Sequence, residues 1–350
     1  MVRLKVGVAM SGGVDSTIAA SLAQEQGQSV HGFFMLLPLP DLDAQLERVR
    51  QITEQLGIPL TLIDLRRRFA DEVIRYFTAA YRTGLTPNPC IHCNHAIKFG
   101  LLASAMRTHG MERIATGHYA RIIRRGDRLF VARAADRSKD QSYFLARLDA
   151  SQVRHVFFPL GDWTKERICE RAVALGFRFD GQESQDVCFL AAGLPAFLAG
   201  QGIGEQAGAV VTRDGRQIGE HRGVWRYTIG QRRGLGLPDA TPWYVVALDG
   251  VNNRVIVGKR DELLTDRCVV HSLRWMHEPP VLPWRGLVQL RSRHSPAWAE
   301  LTPTDDGIWQ LVFTHPQRAV TPGQFAVFYE DELVLGSAVI AAAIDREHEP

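Results

Sequence analysis

Cysteine is scarce in this chain, with five in 350 residues. A small, odd number does not make a disulfide scaffold, so cysteines that stand beside polar motifs become candidates for chemistry or metal binding. Long hydrophobic runs are missing: none approaches the roughly 20 residues of a membrane span, which excludes a helical membrane protein and a membrane partner. No cationic stretch followed by an apolar segment precedes the first strand, and a cytoplasmic location is expected. A strong charge of one sign is also absent, the formal net charge being +3, so any electrostatic role must come from local distribution. Internal repeats and low-complexity tracts are lacking as well. What is present, 45% hydrophobic and 23% charged residues, is the composition of a soluble globular protein with room for two or three domains.

The most informative stretch is Val6 to Ser16. Val6-Gly7-Val8-Ala9-Met10 has the apolar, β-branched character of a buried strand, Ser11-Gly12-Gly13 is a turn, and from Asp15 the pattern becomes helical. A strand that breaks through two glycines into a helix offers free backbone N–H groups and a positive dipole end to a phosphate. The string S-G-G-V-D-S resembles the PP-loop of enzymes that cleave ATP between its α- and β-phosphates. It lacks the Gly-Lys-Ser/Thr ending of a Walker A loop.

Apolar strands over Ser29 to Leu36 and Leu60 to Leu65 alternate with helical patterns over Leu42 to Leu56 and Phe69 to Tyr81. The alternation predicts an α/β domain built on a doubly wound parallel sheet, with ligands at the carboxyl ends of its strands; Met35 lies at such an end, where an adenine could pack. In Thr86-Pro87-Asn88-Pro89-Cys90-Ile91-His92-Cys93 two prolines stop the preceding helix, and a Cys-x-x-Cys pair falls where a helix over Asn94 to Met106 is expected to begin. A thiol there is expected to have a lowered pKa, with Lys98 adding positive charge. His92 and His95 would suit zinc, but no second Cys-x-x-Cys accompanies them. From Arg113 to Arg154, ten Lys/Arg face four Asp/Glu, interleaved with aromatics, the footprint of a nucleic-acid surface. Thr164-Lys165-Glu166 opens a helix in which Cys169 reads as core. Cys188 stands between the polar Glu183 to Asp186 and the apolar Phe189-Leu190. Beyond about Gly200 short strands and glycines dominate: hairpin-like pairs at 209–219 and 243–258, a basic loop at Tyr227 to Gly236, then alternating strands read as a small β-barrel. Arg346 to Pro350 look frayed. The expected division is a PP-loop catalytic domain over 1–200, a central β-rich domain over 201–268 and a β-barrel over 269–350.

Taken in order, Ala9 to Ser16, Thr86 to Pro89, Cys93-Asn94, Ile97-Lys98-Phe99, Ala115 to Tyr119, Lys139 to Leu145, Asp186 to Phe189, Thr228 to Gly236, Trp243 to Val246 and Thr321 to Gln324 resemble the bacterial tRNA-specific 2-thiouridylases (MnmA) over nearly the whole chain. The resemblance implies a sulfurtransferase that uses ATP and Mg2+ to adenylate the 2-oxo group of the wobble uridine and then replaces that oxygen with sulfur. It implies ATP contacts at Ala9, Met10, Ser11, Gly12, Gly13, Val14, Asp15, Ser16, Met35 and Gly117. Catalytic roles fall on Asp15, Cys93 and Cys188, with Cys188 carrying sulfur as a persulfide and Cys93 attacking or resolving. Asn88, Pro89 and Cys90 match the segment beside the flipped target base. His118, Lys139, Asp140, Gln141, Arg291, Ser292 and Gln324 match positions contacting tRNA. The implied partners are lysine, glutamate and glutamine tRNAs and a sulfur carrier protein or cysteine desulfurase. A disulfide bond is implied without an assigned pair.

The chain departs from the family pattern at Cys90, where an aspartate is expected. Cys90, Cys93 and Cys188 together are what a substrate-binding 4Fe-4S cluster requires, one iron being open to carry hydrosulfide; the persulfide relay is the alternative. Rival readings are another PP-loop ATPase (an argininosuccinate, GMP or NAD synthetase, or a lysidine or 2-thiocytidine tRNA enzyme), a tRNA-binding protein without catalysis, and a cluster-bearing redox sensor.

Overall fold

The computed structural model describes residues 3–179, 187–304 and 307–344; Glu183 to Asp186 and Arg346 to Pro350 lie outside them. The strands β1 (Lys5–Met10), β2 (Ser29–Leu36), β3 (Leu60–Asp64) and β4 (Arg113–Ala115) form a parallel sheet with β7 (Val156–Phe157), in the order β3-β2-β1-β4-β7. Val6 and Val8 are fully buried at its centre, as the apolar run requires. Helices α1 (Val14–Glu25) and α2 (Leu42–Leu56) follow β1 and β2. Because β1 has β2 on one side and β4 on the other, the strand order reverses at β1. The crevice between the carboxyl ends of β1 and β4 is then the place for a ligand.

Two helical segments differ from expectation. The first spans Arg66–Phe69, a π-helical Ala70–Ile74 and Arg75–Arg82. The second begins at Pro89–Cys93, five residues earlier than the sequence pattern suggests, and continues through a π-helical Asn94–Leu102 into Ala103–Thr108. Pro89 occupies a first-turn position, where its missing N–H costs nothing, and Asn88 caps the end by accepting from Ile91 N. The proline read as a stop is also a start.

The hairpin β5 (Ala120–Arg125) and β6 (Arg128–Arg133) leaves this sheet. A four-stranded sheet contains β8 (Gly208–Thr212), β9 (Gln217–His221), β10 (Tyr244–Asp249) and β11 (Arg254–Gly258), in the order β10-β11-β8-β9. The remaining strands are β12 (Leu264–Trp275), β13 (Trp284–Gln289), β14 (Ala297–Pro303), β15 (Trp309–Arg318), β16 (Phe325–Glu330) and β17 (Leu333–Ile344). They run antiparallel in the order β12-β15-β14-β13-β16-β17, and β12 pairs with β17 to close a barrel. β17 also pairs with β6, Leu333 opposite Ala132. One core cluster consequently contains Phe130, Tyr143 and Leu145 together with Phe325, Val327 and Tyr329 of the barrel. Among the described residues no helix is long and apolar enough to cross a membrane.

Candidate active site

Gly12 adopts φ +80°, a left-handed conformation open to glycine at little cost, and this turns the chain from β1 into α1. Ser16 Oγ closes the loop: it accepts from Ser11 N and Ser11 Oγ, both at 3.2 Å, and donates to Gly13 O at 3.0 Å. Thr17 Oγ1 donates to the same carbonyl at 3.0 Å. The first-turn amides of α1, which a helix leaves without internal acceptors, thus stand on a rigid turn at the switch point. Gly117, just after β4, packs so closely against this turn that a Cβ there would lie 2.7 Å from the Asp15 carbonyl carbon and 2.8 Å from Ser16 N. Met35 sits half-buried at the end of β2, opposite Ile63.

Asp15 is held from two sides. Tyr119 Oη donates to its Oδ1 at 2.8 Å, and Lys165 Nζ donates to Oδ1 at 2.8 Å and Oδ2 at 3.0 Å. Lys165 begins the helix Lys165–Ala174, capped by Thr164. The carboxylate beside the anion cradle therefore carries its own countercharge. Neither Lys165 nor Tyr119 was singled out by the sequence as an Asp15 partner, because 150 and 104 residues separate them from it.

Cys90, Cys93 and Cys188 are brought into one electrostatic neighbourhood, and Lys98 acts on all three. The expected lowering of the thiol pKa is not found. Burial pushes Cys93 up to about 12 and raises Cys90 and Cys188, while Lys98 pulls each down by less. The helix begins at Pro89, so Cys93 lies a full turn beyond its start, where the dipole's end effect has faded. Cys93 is buried, whereas Cys188 keeps an exposed surface although the surrounding protein still desolvates its thiol. All five cysteines are free thiols; Cys169, expected in the core, is exposed. The helix carrying it packs on α1 through Ile168 and Ala172.

His92 and His95 are engaged elsewhere. His92 Nε2 lies 3.7 Å from Glu72 and its ring stacks on Tyr76, while His95 bridges Gln152 and Arg274. Among the described residues no three His, Cys, Asp or Glu side chains converge as a metal-holding group. The three thiols as placed do not fit a metal cluster.

Several residues matched to tRNA contacts bond within the protein. His118 is buried, takes part in a 2.7 Å hydrogen bond with Thr116 Oγ1, and is held well below its usual pKa by burial and then by Lys98. Asp140 accepts from Arg133, the Ala134 amide and Ser142. Gln141 Oε1 accepts from Tyr119 N. Arg291 donates to Ile229 O and Ala319 O, tying the basic loop to the barrel, and Ser292 O accepts from Gln289. Gln324 Nε2 donates to Thr86 O at 2.8 Å, and Thr86 N donates to Pro322 O at 3.1 Å. The barrel therefore fixes the approach to Asn88, Pro89 and Cys90. Lys139, half-buried, sits in the turn whose amide bonds Asp136 O.

Five of the ten basic residues of the run 113–154 pair with carboxylates of the protein, which lowers its charge as a nucleic-acid surface without removing it. Arg121 and Arg137 pair with Glu332, Arg125 with Glu330, Arg128 with Glu278 and Arg133 with Asp140.

A parallel sheet whose switch point carries a phosphate-accepting loop defines a nucleotide-dependent enzyme of the HUP class. Residues 4–192 match the family described as the tRNA methyl transferase HUP domain, 196–259 the tRNA methyl transferase PRC-barrel domain, and 265–340 the aminomethyltransferase beta-barrel domain. The chain is 45% identical over 344 residues to the tRNA-specific 2-thiouridylase MnmA of Desulfotalea psychrophila, covering 97% of this chain and 100% of that one. It is 42% identical over 349 residues to that of Chloroflexus aggregans, covering 95% and 97%. The chain belongs to the MnmA family of tRNA-specific 2-thiouridylases. Among solved structures, the U34-tRNA thiolase NcsA from Methanococcus maripaludis with its [4Fe-4S] cluster matches at 16% identity and a TM-score of 0.36, over 57% of this chain and 64% of that one. That likeness is too low to carry an argument.

Proposed function

We propose that the protein is a tRNA 2-thiouridylase that takes ATP, as its magnesium complex, and tRNA as substrates. The carrying observation is that Lys98 acts both on Cys90, Cys93 and Cys188 and on His118, the neighbour of the Gly117 that packs on Asp15 and Ser16, in a chain whose near full-length relatives are 2-thiouridylases. The uridine 2-oxygen attacks the α-phosphorus; the new O–P bond forms as the bond to pyrophosphate breaks, and the α1 end receives the leaving charge. AMP is then the leaving group at C2. The exposed Cys188 accepts sulfur from an external carrier, as a persulfide whose outer sulfur attacks C2. Cys93 then attacks the inner sulfur, forming a Cys93–Cys188 disulfide that an external dithiol reopens. Burial of Cys93 keeps it protonated until substrate arrives. The placement of the thiols favours this relay over a cluster. The site residues keep the roles named above, except that His118, Asp140, Gln141, Arg291 and Gln324 act by shaping the surface, not by touching RNA. The tRNAs are those for lysine, glutamate and glutamine, and the sulfur source is a carrier protein or desulfurase.

Incubation with α-labelled ATP, unmodified tRNA and a persulfide donor is expected to release AMP only when tRNA is present, and nucleoside mass spectrometry to detect 2-thiouridine. Pyrophosphate release without tRNA would point instead to a synthetase. Activity that requires anaerobic iron reconstitution, with loss of a cluster absorption in Cys90→Ala, would replace the relay with cluster chemistry.

A further inference from the structure

We propose that Arg147 and Arg274 form a seat for a backbone phosphate of the bound RNA, beside the helix that carries Cys90 and Cys93; the proposal rests on tRNA being the substrate. Arg147 is half-buried after the Ser142–Leu145 turn. Its Nη1 donates to Ser272 O at 2.7 Å, and its guanidinium lies 5.4 Å from the centre of the Phe325 ring. Those contacts orient the group but supply no countercharge. Arg274, exposed on β12, donates through Nη1 to His95 Nε2 at 2.8 Å. His95 Nδ1 faces Gln152 Oε1 at 3.0 Å, which makes the imidazole a neutral acceptor toward Arg274.

The two guanidiniums repel each other, and burial together with this repulsion holds Arg147 down to about 10. Other ionisable groups nearby are Tyr76, His92, His95 and Asp149. Asp149 is committed to capping the Ala150–Val153 helix. Among the described residues no carboxylate forms an ion pair with either arginine, whereas five arginines of the adjoining segment have found one. Two neighbouring guanidiniums, one of them partly desolvated and neither matched by a carboxylate, are a site whose anion comes from outside.

The place identifies the anion. Arg147 acts electrostatically on Tyr76, which bonds the Asn88 backbone, and on His92, the neighbour of Cys93. A phosphodiester next to the flipped uridine would lie within the same few residues, and guanidinium forks are suited to its two free oxygens. Arg147 and Arg274 would thus position the target nucleotide without reading its base.

The test is tRNA binding by the full chain, followed by fluorescence anisotropy across a salt series. Arg147→Gln and Arg274→Gln are each expected to weaken binding about 5- to 10-fold and to reduce the slope of log K against log salt by roughly 0.7 to 0.9. Arg274→Lys should keep the slope. Arg274 is exposed, so its variant separates charge from folding. Wild-type binding together with unchanged affinity and slope in both Gln variants would overturn the seat. A wild-type chain that does not bind tRNA would remove the functional reading, and the seat with it.

Discussion

At Cys93 burial and charge oppose each other, and burial is the larger. The thiol is raised to about 12 with Lys98 already pulling it down. For a raised acid the neutral form is favoured in the fold, so the thiolate is scarce throughout the neutral range and grows as pH rises. Alkylation of Cys93 by iodoacetamide, followed by peptide mass spectrometry, is therefore expected to accelerate about tenfold per pH unit from 7 to 10 with no plateau. Lys98→Met should slow it at every pH. A plateau below pH 8 would show that the helix end governs the thiol after all. The same balance explains what the sequence could and could not disclose. The cysteines, the Gly12 turn and Lys98 are local in sequence and were legible. Whether Arg121, Arg125 or Arg137 is free or paired depends on Glu330 and Glu332, about 200 residues away. Charge counting within a window cannot see them. Arg147 stands out only after those pairings are known.

The element that decides the geometry of the site is the Thr83–Pro89 connection, where three parts of the chain meet. Gly250, in the turn between β10 and β11, approaches so closely that a Cβ on it would lie 2.8 Å from Thr83 O. From the barrel, the turn before β16 bonds Thr86 through Pro322 O and Gln324. Gly323 in that turn has φ +89°, and a Cβ on it would lie 3.0 Å from Thr86 O. Gly323→Ala combines a left-handed strain with a close contact to backbone, and it should cost about 1–3 kcal/mol. Gln324→Ala removes one hydrogen bond, worth about 1 kcal/mol. Both are expected to lower the thiolation rate several-fold while the KM for ATP stays within about twofold, because the Ser11–Ser16 loop lies on other elements. Denaturant unfolding and steady-state kinetics test this; an equal rise in the KM for ATP would show that the connection also shapes the nucleotide site. The alternating strands and helices were readable from periodicity, since each buries its own apolar face. The start of the helix at Pro89 was not, because Thr86-Pro87 and Asn88-Pro89 each put a cap-type residue before a proline, and only the fold shows that Asn88 is the one that caps.

For the whole molecule, the arrangement of the core predicts how the parts unfold. Phe325, Val327 and Tyr329 of the barrel share a cluster with Phe77, Ile91 and Cys93 of the first sheet's helices. Tyr143 Oη donates to Phe325 O at 3.1 Å, and Arg133 lies 3.8 Å from the centre of the Tyr329 ring. A shared core of this size makes independent unfolding costly, because either part would expose the apolar face of the other. Two native thiols report on the two sides: Cys93 in the helix, and Cys268 in β12, fully buried. In a denaturant series their labelling is expected to reach the unfolded rate at one common midpoint. Phe325→Ala, a large-to-small change worth about 3–5 kcal/mol, should move both midpoints down together. If Cys268 labels at lower denaturant than Cys93 in that variant, the barrel unfolds by itself and the shared cluster is not a cooperative unit. If the two move together, the barrel is part of the framework that holds Cys93 in its protonated, buried state.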